Sequence, residues 1–188
     1  MQGIKLRLHP GGMMQATPIS ADFRQHVLES DKRIEQQTGQ PFGADYLKKV
    51  ASGESLILDS YITAQAIIAS DYLGYSTVDM LEKIQQAHYQ QGLPVYQAEV
   101  LTELAGQFNV EAKDWNAAMA YAEGRVEAEI QLTRHMMQQA GLGGFPSMLI
   151  EQNGHRHTVA ISQFYRRPEQ WRQFWVKVLE GSEYPFGV

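Results

Sequence analysis

From Ser20 to Ala140 the chain reads almost wholly as helix, and this block is framed on both sides by stretches with the two-residue alternation of strands. Any fold for this sequence must therefore combine a small sheet, made from segments far apart in the chain, with a large helical unit between them. Ser20 is placed to cap the first helix, with Phe23, Val27 and Ile34 along one face, and "TGQPFG" at 38 to 43 breaks it. A short segment around Tyr46 and Leu47 follows. A helix near Tyr61 to Leu73 comes next, in which Ala64, Ala66 and Ala69 permit close packing, and Gly74 is its stop. Thr77 is expected to cap a helix carrying Met80, Leu81, Ile84 and His88 and ending at Gly92, and residues 97 to 108 repeat the pattern. The last and longest helical stretch, 112 to 140, spaces Trp115, Met119, Ala122, Val126, Ile130 and Met137 by threes and fours, and Gly141 closes it.

The framing segments are shorter. "GIKLRL" at 3 to 8 sets Ile4, Leu6 and Leu8 against Lys5 and Arg7, which predicts a strand, and "HPGG" stops it. "SMLIEQ", the turn signal Asn153-Gly154 and "HRHTVAI" predict an antiparallel pair. A final helix is expected from Pro168 through Trp171, Phe174, Trp175 and Val178 towards Glu180. With 188 residues, 44% hydrophobic and 20% charged, the chain has the composition of one compact unit. Its net charge of −5 and scattered Lys and Arg give no electrostatic footprint for nucleic acid or an anionic membrane. No run reaches the roughly eighteen apolar residues of a membrane span, and the first twelve residues lack the features of a signal peptide, so a soluble, cytoplasmic protein is expected.

The chemistry is bounded by one count: there is no cysteine, hence no disulfide, thiolate metal site or cysteine nucleophile within these residues. His155 and His157 share one side of a strand as two metal ligands would, but no third ligand has a completing spacing. His88 and Tyr89, in "QAHYQQG", fall where an amphipathic helix turns from core to rim, a place for a packed histidine or for one wall of a substrate groove. Met13, Met14, Met136 and Met137 fit a core as well as a groove. "HPGG" lacks the spacing and lysine of a phosphate loop, and Ser147 lacks the glycine surround of a nucleophile elbow. The acidic residues fall on helix faces, where solvated surface is the default, and no catalytic pair stands out among them. Phe145-Pro146 is different, because aromatic-proline bonds are prone to the cis form. A cis proline before a strand can turn backbone groups outward to pair with an extended peptide; a trans proline ending a loop fits the local sequence equally well.

Taken together, "LHPGGMM" at 8 to 14, "TGQPFG" at 38 to 43, "AIIAS" at 66 to 70, "IQQAHYQQG" at 84 to 92, "LTELA" at 101 to 105 and "GLGGFPSMLIEQNG" at 141 to 154 resemble, in order, the DsbA family of thioredoxin-like proteins, and its cytoplasmic FrnE-like branch in particular. The resemblance spans essentially the whole chain. It implies an α/β thioredoxin-like fold with a large all-helical insertion: residues 1–19 and 141–188 would form the thioredoxin-like half and 20–140 the insertion. Pro146 would be the cis proline facing the active site. Gly144, Phe145, Pro146 and Ser147 would bind substrate together with Gly11, Gly12, His88 and Tyr89. The substrate would be an extended peptide or a thiol, glutathione included, with no cofactor, no metal, and neither nucleic acid nor membrane as partner.

The departure from the family lies at the amino terminus. Members of the DsbA family begin with a strand and a helix bearing Cys-x-x-Cys, whose first thiolate attacks disulfides because the helix N-terminus lowers its pKa. That N-terminal βα unit is missing from this sequence, which begins at what resembles the family's second strand. The family activity is thiol-disulfide exchange, and without a sulfur these residues alone are expected to be redox-inactive. The absent strand would lie between "IKLRL" and "SMLIE", so a partner chain, a rearranged sheet or a segment exchanged in a homodimer would have to satisfy the backbone there, unless the unit is encoded upstream of Met1. Two other activities stay open: a glutathione-dependent transferase or isomerase of the kappa-class and hydroxychromene carboxylate isomerase type, and a non-catalytic module that binds extended peptides.

Overall fold

A computed structural model describes residues 4–152 and 154–180. Seven helices dominate them: α1 (Ala21–Thr38), α2 (Ala44–Ala51), α3 (Ser60–Tyr72), α4 (Thr77–Tyr89), α5 (Ala98–Gly106), α6 (Ala112–Gln139) and α7 (Pro168–Leu179). Their ends follow local chemistry. The Ser20 hydroxyl accepts from the Phe23 amide at 3.2 Å, the Asp59 carboxylate accepts from the first two free amides of α3, and Pro168 opens α7 with its fixed φ. Gly39 ends α1 in the left-handed conformation at φ 79°. One expected cap shifts by a residue: Ser76, not Thr77, caps α4, its hydroxyl accepting from the Asp79 amide. That helix ends at Tyr89, and the left-handed Gly92 (φ 66°) closes the turn after it, with the Leu93 amide bonded to Ala87 O.

The helical core lies where α3 and α6 pack face to face, with α4 and α5 alongside. Ala66, Ala69, Ala118 and Ala122 are fully buried, and their small side chains bring the helix axes close around Trp115, Met80 and Leu101. A second cluster joins α1 and α2 through Tyr46, Val50, Leu56 and Ile19. Arg24 of α1, 8% exposed, reaches the end of α2, donating to Lys49 O at 3.4 Å, Val50 O at 3.1 Å and Glu54 O. Its cation thus satisfies carbonyls at a helix C-terminus, the negative end of the dipole.

The hairpin forms as expected. Strands β3 (Met148–Gln152) and β4 (His155–Val159) pair antiparallel with Met148 opposite Val159 and Ile150 opposite His157; Asn153 of the turn signal lies outside the described residues, and Gly154 has φ 79°. One face packs on α7 through Ile150, Val159, Phe174 and Val178, with Trp171 and Trp175 at the margin. A two-residue bridge, β1 (Thr17–Pro18) with β2 (Ile57–Leu58), was not legible in the sequence.

The strand expected near the amino terminus does not form. Residues 4–8 carry no regular structure, and Ile4 and Leu6 are 52% and 59% exposed. Alternation supplies two faces but no partner, and a strand exists only as a hydrogen-bonded ladder. Among the described residues β3 pairs with β4 alone, so "IKLRL" has no ladder to join.

Candidate functional site

The α6 helix ends at Gln139 and the chain turns through left-handed Gly141 (φ 64°), with the Leu142 amide bonded to Met137 O. The loop that follows carries Gly144, Phe145, Pro146 and Ser147 to the start of β3. The Phe145–Pro146 bond is cis, and the Ser147 hydroxyl donates to Gly144 O at 2.5 Å, closing the loop on itself. Phe145 remains 45% exposed.

A strap formed by residues 9–16 runs beside this loop. Gly11 touches the Phe145 ring so closely that a Cβ there would lie 2.7 Å from Cζ and 2.8 Å from Cε2. At Gly12 both space and backbone demand glycine: φ is 58°, and a Cβ would lie 2.5 Å from Ile130 Cδ1. Arg134 of α6 donates to Gly12 O at 2.7 Å, and Arg7 pairs with Glu129 at 3.6 Å. Further on, the Met14 amide donates to the Ser60 hydroxyl, which donates in turn to Met14 O, both at 2.8 Å. The strap is thereby fixed to α6 and to the start of α3.

Six of the eight substrate residues expected from the sequence therefore come together: Gly11 and Gly12 on the strap, and Gly144 to Ser147 on the loop. His88 and Tyr89 lie elsewhere, in an aromatic cluster with Phe42 and Tyr46. There the Tyr46 hydroxyl donates to the carboxylate of Asp31, 6% exposed, at 2.8 Å. Burial pushes the Asp31 carboxyl upward, the Tyr46 bond opposing it in part, and burial with the Asp31 charge nearby pushes the Tyr46 hydroxyl strongly up. His88 is held at about 4 by burial first and by the charge of Lys49 second. The His88 ring is neutral near pH 7, packed against Tyr46 with centroids 5.2 Å apart.

Sequence reasoning missed a cleft of about 360 Å³ between the end of α6 and the hairpin face turned away from α7. Met136, Gln139, Leu149, Arg156 and Thr158 line it with His157. The pair His155 and His157 drew notice as alternating ligands, whereas Arg156 and Thr158 lie on the opposite side of the same strand. At the strap, His9 Nδ1 is buried without a hydrogen-bond partner among the described residues, and burial, then Arg7 and Arg156, lower the ring pKa against the opposing pull of Glu129.

The loop and strap bring together an apolar ring, close-packed glycines, backbone groups and the Ser147 hydroxyl. No family model and no curated protein matches the sequence. Solved structures do. The cytosolic disulfide reductase DsbM from Pseudomonas aeruginosa superposes with a TM-score of 0.86 at 32% identity, over 94% of this chain and 84% of DsbM. The chain belongs to the DsbA-like family of thioredoxin-fold proteins. DsbM with GSH is similar at TM-score 0.84 and 32% identity, over 93% of this chain and 84% of that one. A Nitrosomonas europaea protein named for protein disulfide isomerase shares the fold at TM-score 0.65 and 22% identity, over 87% of this chain and 79% of its own. DsbA-like membership accounts for the order of elements, a long helical block between the strap and the proline loop, and it sets the chain's lack of cysteine against relatives named for disulfide chemistry.

Proposed function

We propose that the chain is the substrate-docking part of a cytosolic thiol-disulfide oxidoreductase, holding a thiol, disulfide or extended peptide against Phe145–Pro146. The likeness to DsbM, at 32% identity over 94% of the chain, carries this reading, and DsbM's cytosolic setting and its structure with GSH support a cytosolic thiol partner, glutathione first among them. Residues 1–19 and 141–188 serve as the thioredoxin-like half and 20–140 as the insertion. Docking falls to Gly144, Phe145, Pro146 and Ser147 with Gly11 and Gly12. His88 and Tyr89 lie apart from this surface, in the cluster with Phe42 and Tyr46.

Exchange breaks one S–S bond as another forms, with a thiolate attacking. These 188 residues hold no sulfur that can do so, since methionine thioether has no S–H to lose. The chain's own contribution is binding and orientation, and the reacting sulfurs belong to the substrate and to a cysteine-bearing segment or partner. A disulfide lying along the loop would be held by its backbone, with the Phe145 ring covering the apolar methylenes beside each sulfur.

Titration of the isotopically labelled chain with glutathione disulfide tests this reading. Amide shifts are expected at Gly11, Gly12, Gly144, Phe145 and Ser147, with no reduction of insulin by the chain alone in the presence of reduced glutathione. Binding with shifts confined to other regions, or no binding of any thiol or disulfide peptide, would overturn it.

A further inference from the structure

The cleft between α6 and the hairpin lies beyond the docking loop and is lined by groups the loop lacks. Arg156 bonds Glu151 through Nε at 3.0 Å, which leaves the N–H groups of both Nη nitrogens for another acceptor. Thr158 adds a hydroxyl, Gln139 a side-chain amide, and Leu149 and Met136 an apolar floor. Such a mixture suits a short chain ending in a carboxylate: the floor takes methylenes, and the guanidinium fork matches the planar anion. His9 of the strap lies within electrostatic reach of Arg156, which places the strap beside this side of the hairpin. Reach sets the ligand's pose: at about 3.3 Å per residue Leu149 lies about 10 Å, and Arg156, opposite Glu151, about 16 Å along the strand from Pro146, so an extended tripeptide covers the first span and the Arg156 side chain covers the rest.

We propose that this cleft binds a free carboxylate of a short thiol peptide of the glutathione class, while the peptide's sulfur lies at Phe145–Pro146. The inference rests on the docking role given to that loop and adds how such a ligand is oriented. Arg156 fixes the end of the ligand, Thr158 takes the second carboxylate oxygen, and the sulfur is left pointing along the strand towards the loop.

Calorimetric titration of the full chain with S-methylglutathione, which cannot react, separates the possibilities. Arg156 is half exposed in its side chain, so Arg156→Gln should fold normally. Arg172→Gln removes the same charge from α7, away from the cleft, and serves as the control. At least tenfold weaker binding is expected for Arg156→Gln and a smaller loss for Thr158→Val, with Arg172→Gln within twofold of the parent. Equal affinity in the parent and Arg156→Gln, with shifts still seen at Phe145, would overturn the cleft and leave the docking loop standing. Equal losses in Arg156→Gln and Arg172→Gln would mean general charge attraction and also overturn it. No binding to the parent chain would remove both the cleft and glutathione as the loop's ligand.

Discussion

Two adjacent glycines in the strap separate binding from stability. A methyl group at Gly11 first meets the far end of the Phe145 ring, which is 45% exposed and can swing outward. At Gly12 it meets the buried Ile130 from a left-handed backbone. Gly11→Ala should thus leave thermal stability nearly unchanged and weaken glutathione binding several-fold. Gly12→Ala should cost about 1–3 kcal/mol, as overpacked cores do. Paired melting and titration curves check both, and a Gly11→Ala protein with parental affinity would show that the ring does not contribute to docking. His88 governs a different response. Its folded pKa of about 4 lies below the ordinary 6.5, so the unfolded chain takes up a proton first as pH falls, and His88's contribution to stability is lost between about 6.5 and 4. Asp31 acts with the opposite sign, because its raised folded pKa makes ionisation above 3.8 costly to the folded chain. His88→Phe keeps a ring against Tyr46 and should flatten the decline in urea midpoint between pH 7 and pH 5; an unchanged slope would assign the decline to other groups.

At the scale of elements, the strap is the piece that local sequence describes least. Its anchor is Ser60, bonded twice to Met14 through its hydroxyl, and Ser60→Ala leaves the Met14 amide without that acceptor. A loss of about 1–3 kcal/mol is expected, with amide exchange at Met14 accelerating far more than at Leu101 in the helical core. Uniform acceleration would mean that strap and core open together. The helices were legible because their signals are local: Ser20 and Pro168 mark starts, Gly39 and Gly74 mark stops, and apolar spacing marks faces. The strand expected from Ile4, Leu6 and Leu8 failed because pairing is not a local property. The bridge of Thr17–Pro18 with Ile57–Leu58 was invisible for a related reason, since two residues carry no period. At the candidate site, the Phe145-Pro146 dipeptide alone left cis and trans equally open, and the family likeness pointed to the cis bond that forms and to Gly11 and Gly12 beside it. The cleft was not, because Met136, Leu149 and Arg156 meet only after α6 turns back into the hairpin.

Across the whole molecule, the three tryptophans divide between two cores. Trp115 is buried with Ala118, Ala122 and Leu101 in the helical block, while Trp171 and Trp175 pack against Phe174 beside the hairpin. The second core is small, and a two-stranded hairpin is marginal without the helix that covers it. Among the described residues, Arg166 donates to Gln36 O at 3.4 Å and Phe145 rests on Gly11, joining this core to the rest. The Phe145–Pro146 loop joins the two cores, so opening of the hairpin core would release the loop from the strap, and a ligand held as proposed by both should oppose that opening. In urea, the fluorescence of Trp115→Phe reports the hairpin and α7, and that of the double variant Trp171→Phe, Trp175→Phe reports the helical block. The first transition is expected at lower urea than the second, and saturating glutathione should raise the first midpoint while leaving the second in place. At a hundredfold excess over Kd the gain would be about 2.7 kcal/mol. Coincident midpoints that move together would mean one cooperative unit, and the division at residues 20 and 140 would then describe topology without describing stability.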